Sequence, residues 1–74
     1  MKLNELIESG FERFNKGRIT SLAITDRESE TLQIVDVDKT NTIKQEYLPL
    51  EVLSVSSRMS MPTRLRLKID YLER

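Results

Sequence analysis

At Gly17 the spacing of apolar residues changes, and that change restricts the fold more than any other feature of the chain. Before it, Leu3, Leu6, Ile7, Phe11 and Phe14 recur every three or four residues, so residues 3–15 read as an amphipathic helix with Glu5, Glu8, Glu12, Arg13 and Lys16 on the other face. Acids lie toward the start and bases toward the end, as the helix dipole favours, and Gly17 is placed to close the helix as a left-handed cap. Gly10 is the weak point of this reading. An interior glycine costs about 1 kcal/mol relative to alanine, so it either permits a close backbone approach or breaks the helix.

After Gly17 the period falls to about two, and Ile, Val, Thr and Tyr become frequent. Five short strands are predicted, at about 18–25, 31–38, 42–48, 52–56 and 63–72. A charged turn, Asp26-Arg27-Glu28-Ser29-Glu30, separates the first two, and Lys39-Thr40-Asn41 supplies hairpin chemistry before the third. In the second strand Leu32 and Ile34 share one parity and Val35 and Val37 the other. A bulge near Ile34-Val35 would turn all four inward. Pro49 predicts a kinked edge or single turn before the fourth strand, and Ser56-Ser57-Arg58-Met59-Ser60-Met61-Pro62 reads as a loop. The last strand has the clearest pattern, Leu65, Leu67, Ile69 and Tyr71 alternating with Arg64, Arg66, Lys68 and Asp70, as in a half-buried antiparallel strand.

Connections this short leave no room for crossover helices, so the expectation is an α+β fold in which one helix precedes an antiparallel sheet, either open or rolled into a small barrel. The order of elements resembles that of SH3-like and Sm-like barrels. The resemblance stops at element order. The Sm-like pattern of a Gly and an Asp…Asn pair in the first strands is not matched, since Asp36 and Asn41 stand at a different spacing and no Gly follows Gly17. With 74 residues, one domain spanning 1–74 is expected. Leu, Ile, Val and Phe make up 22 of the residues, enough for the chain to fold, and with no Cys or His its stability must come from packing, completed or not by a second subunit.

The same absences bear on function. Without His the commonest general base is missing, and without Cys the strongest nucleophile. Neither glycine begins a phosphate-cradling motif, and the serines at 54, 56, 57 and 60 read as loop chemistry with no His to activate them. Asp36 and Asp38 with Thr40 and Asn41 fail the calcium-loop pattern, which needs Gly where Asn41 stands and Glu where Tyr47 stands. The expectation is a protein that is not an enzyme and has no cofactor or metal. Glu5 and Glu8 interrupt any signal-peptide core and no apolar run exceeds three residues, so a cytoplasmic location without membrane contact is expected.

Twelve acids balance twelve bases, but unevenly. Residues 1–25 carry four bases and three acids, residues 26–51 three bases and seven acids, and residues 52–74 five bases and two acids. Two readings of function follow. In the first, the protein is a non-enzymatic protein-binding module (an accessory, inhibitor or adaptor) that uses a sheet edge and the 56–62 loop. Met59, Met61 and Pro62 make the contact, and self-association is an option. In the alternative, a small nucleic-acid-associated barrel uses Arg58, Arg64, Arg66 and Lys68. The last three emerge about 6.6–7 Å apart along one strand face, near the spacing of successive phosphates. The alternative depends on whether Asp36, Asp38 or Glu46 pairs with these cations on neighbouring strands. Of the four aromatics only Tyr47 is expected to be free for base stacking.

Overall fold

The structure, a computed structural model, describes residues 1–10, 19–57 and 63–72. Helix α1 (Leu3–Glu8) precedes strands β1 (Ile19–Thr25), β2 (Thr31–Asp36), β3 (Val52–Ser57) and β4 (Thr63–Ile69). The α+β class holds. The helix is shorter than its predicted span of 3–15, because Gly10 takes a positive φ of 73° and its N–H donates to the Ile7 carbonyl, ending the helix at Glu8. The predicted cap at Gly17, with Phe11 and Phe14, lies outside the described residues.

A six-residue helix is too short to be stable alone, so tertiary contacts must hold it. Its free N–H groups find partners other than the helix's own backbone carbonyls. Leu3 donates to the Leu50 carbonyl at 2.9 Å, Asn4 to the Leu48 carbonyl at 3.0 Å, and Glu5 to Oδ1 of Asn4 at 3.0 Å. The Glu5 carboxylate reaches back to accept the Lys2 N–H. Leu3 and Leu6 thereby enter the core.

The strands form one sheet in the order β2-β1-β4-β3. Two antiparallel hairpin pairs, β1 with β2 and β3 with β4, are joined through a parallel pairing of β1 with β4. The sheet is therefore mixed, where an all-antiparallel one was predicted, and among the described residues it is an open sheet of four strands with β2 and β3 at its edges. Neither a fifth strand nor closure into a barrel is found there.

The segment predicted as a strand at 42–48 forms two 3₁₀ turns instead, Thr40–Thr42 and Gln45–Tyr47. Topology supplies the reason. β2 and β3 run the same way at opposite edges, so the chain between them must cross three strand spacings, about 14 Å, over one face of the sheet. A strand paired beside β2 could not make that crossing. Ile43 and Tyr47, four residues apart and each 4% exposed, point into the core, and the amide of Gln33 fastens the start of the crossover by donating to the Thr42 carbonyl and accepting the Lys44 N–H.

The β2 bulge is also displaced from its expected place. Pairing runs evenly through Ala23–Ile34 and Leu22–Val35, and the irregularity lies where Ile24 faces Gln33 and Thr25 faces Thr31, leaving Leu32 as the extra residue. Val35 is buried, while Ile34 faces outward and is 51% exposed. The core lies between one sheet face and a layer made of α1 and the crossover. Leu22 and Ile24 of β1, Leu65, Leu67 and Ile69 of β4, and Leu3 of α1 are fully covered, each burial contributing about 1.5–3 kcal/mol.

Candidate functional site

The opposite face of the sheet has no covering layer among the described residues. Its composition follows from the period of two: with Leu65, Leu67 and Ile69 turned inward, Arg64, Arg66 and Lys68 must turn outward, along the strand third in the order. The register then fixes their neighbours. Arg64 lies in one row with Ser21 and Asp36, Arg66 with Ala23, Ile34 and Ser56, and Lys68 with Thr25 and Ser54. The cations form a ridge with a lane of small side chains on each side, Ser21, Ala23 and Thr25 on β1 and Ser54 and Ser56 on β3.

Ser21, Ala23 and Thr25 of the β1 lane are buried. Oγ of Ser21 accepts a hydrogen bond from Nε of Arg64 at 3.0 Å, and the Thr25 hydroxyl donates to the Leu67 carbonyl at 3.4 Å. At one end of the ridge Thr25, Ser29, Ser54, Ser56, Arg66 and Lys68 surround a shallow cavity of about 120 Å³. Four hydroxyls and two cations converge there, a donor set suited to the oxygens of an anion.

Ser29 reaches the cavity because of a locally built turn. The buried Asp26 carboxylate accepts the N–H groups of Glu28 and Glu30 through one oxygen, its own N–H donates to the Glu30 carbonyl, and its carbonyl accepts from Ser29, which is held at a φ of 67°. This is an Asx turn, and it defines how β1 passes into β2.

The acidic middle of the sequence does not neutralise the ridge. β1 stands between the acidic strand and the basic one, so Asp36 is two strands from Arg64, about 9.6 Å in backbone spacing. Among the described residues the ion pairs are Met1 with Glu51 and Arg27 with Asp70, and none joins Asp36, Asp38 or Glu46 to Arg64, Arg66 or Lys68. No group of three acids is placed to hold a metal ion among those residues.

Tyr47 is not free for stacking. It is buried on the core side, edge-on to Tyr71 with ring centroids 5.5 Å apart, and the Lys44 ammonium lies 6.0 Å from its ring centre. Burial, reinforced by the nearby Glu46 carboxylate, raises the pKa of its phenol above the ordinary value. No described aromatic lies on the open face.

Arg64, Arg66 and Lys68 are thus brought together as the sequence implied, while Arg58, Met59, Met61 and Pro62 lie outside the described residues. Sequence reasoning missed the small-residue lanes; Ser54 and Ser56 stand in the strand expected at 52–56, and Ser57, expected in the loop, extends β3 by one residue. The alternation of small residues at 21, 23 and 25 and at 54 and 56 was the available signal. Compared with protein-family models, curated proteins and solved structures, the chain matches none.

Proposed function

We propose that the protein is a non-catalytic binding domain whose open sheet face takes the sugar–phosphate backbone of a single-stranded nucleic acid. One observation carries this reading: Arg66 and Lys68, with Arg64 beside them, stand in a row without an acidic partner among the described residues, between lanes of hydroxyl-bearing and other small side chains. Like charges about 7 Å apart repel by on the order of 0.5 kcal/mol even in water. A chain of phosphates along the ridge would replace that repulsion with three attractive contacts. The flat face favours a single strand over a duplex, since no described helix or ribbon projects to enter a groove. With no described aromatic on this face, contacts go to phosphate and sugar, and little sequence preference follows.

The protein-binding reading rests on Met59, Met61 and Pro62, which are not among the described residues. The test is a polarisation titration of labelled single-stranded RNA and DNA at about 50 and 200 mM salt. Three phosphate contacts give a log–log slope near −2, so affinity should fall about 20-fold over that range. Binding that ignores salt, or no saturable binding at the lower salt concentration, would remove the proposal.

A further inference from the structure

The two edges of the sheet are unequally protected. β2 ends in Asp36, has its bulge at Leu32, and is flanked by Glu28, Glu30 and Asp38, all features that discourage another strand from adding to an edge. Among the described residues β3 is protected only at its beginning, where Val52 donates to the Met1 carbonyl at 2.8 Å and Lys2 forms a bridge with Glu51. Beyond that point Leu53-Ser54-Val55-Ser56-Ser57 contains no charge and no proline, and no described segment pairs with its outer side. Leu53, at a break in the β3–β4 register, is 50% exposed.

We infer that this edge is a dimerisation site, where β3 of one copy pairs antiparallel with β3 of a second copy of the chain. The edge is complementary to itself. A two-fold axis at Val55 sets Leu53 of one copy against Ser57 of the other, Ser54 against Ser56, and Val55 against its own copy, so no like charges meet and the exposed Leu53 gains cover. The N-terminal residues paired beside Glu51 and Val52 limit the seam to residues 53–57, which fixes its register. The result is a continuous eight-stranded sheet. Its hydroxyl lanes adjoin at the seam and its two cation ridges lie three strand spacings, about 14 Å, apart. Dimerisation does not depend on what the open face binds.

Sedimentation equilibrium of the full chain tests this. The wild type should weigh twice the 8.7 kDa of the single chain. The double variant L53K/S57K sets lysine against lysine at both ends of the seam and should give the single-chain mass with an unchanged circular-dichroism spectrum. L53K/S57D, which sets lysine against aspartate at the same places, should restore the dimer. A wild type that stays at the single-chain mass up to millimolar concentration overturns the inference. So does a dimer that survives L53K/S57K, since it would be using another surface.

Discussion

On one face of the sheet Leu65, Leu67 and Ile69 pack with α1 and the crossover; on the other, Arg64, Arg66 and Lys68, each a single residue away, border lanes of serine, alanine and threonine. The same strand serves both. The inner face is where the energy of folding is concentrated, because its side chains are withdrawn from water. The outer face gains little from folding and retains groups whose charge is not spent inside the molecule. Burial alone does not separate the two, since Ser21, Ala23 and Thr25 are also buried. What separates them is whether the buried groups are apolar and joined into one cluster.

The largest effect should therefore come from Leu67→Ala, which opens a cavity beneath the ridge and should cost about 2–5 kcal/mol in urea unfolding. Arg66→Ala, one residue along, should change stability by less than about 0.5 kcal/mol, yet lower the salt slope of nucleic-acid binding by about 0.7. A large loss of stability in Arg66→Ala would mean that the ridge serves folding, and the contrast between the faces would collapse. Asp26→Ala leaves two N–H groups without their acceptor and should cost about 1–3 kcal/mol, whereas Asp26→Asn, which keeps an oxygen, should cost less. Because that turn carries Ser29 to the cavity, Asp26→Ala should weaken binding as well.

A pH titration sharpens the comparison from the buried side. The Tyr47 phenol has a raised pKa in the folded protein, so its contribution to stability is complete below the ordinary value of 10.0 and is lost as pH rises above it, the unfolded chain ionising first. Urea unfolding followed from pH 9 to 11 should show this decline, and Tyr47→Phe should reduce it. The smallest effect is expected for Ser29→Gly. Relief of the positive φ should be partly offset by the entropy of glycine, leaving a gain below about 1 kcal/mol, readable as a small rise in the urea midpoint.

The parts of the fold legible in the sequence are those set by neighbours along the chain. β4 could be read residue by residue, because apolar and charged side chains alternate without interruption from 64 to 69. β1 and β2 were placed within one or two residues, with the charged turn between them. The 42–48 segment misled because Thr42, Ile43 and Tyr47 suit a strand, while the four-residue spacing of Ile43 and Tyr47, which fits the crossover, is too short a pattern to stand out. Gly10 left the helix end open, and its positive φ settled it in favour of a stop.

By itself the sequence determined the α+β class, the half-buried character of β4 and the presence of three outward cations on one strand face, since side-chain alternation is a local property of extended backbone. Only the tertiary structure decided which strands are neighbours. The parallel pairing of β1 with β4 puts β1 between the strand that carries Asp36 and the strand that carries Arg64, Arg66 and Lys68, so the acidic strand is not the neighbour of the basic one. Strand order depends on how the crossover covers the core, a contact between residues far apart in the chain that no local pattern records.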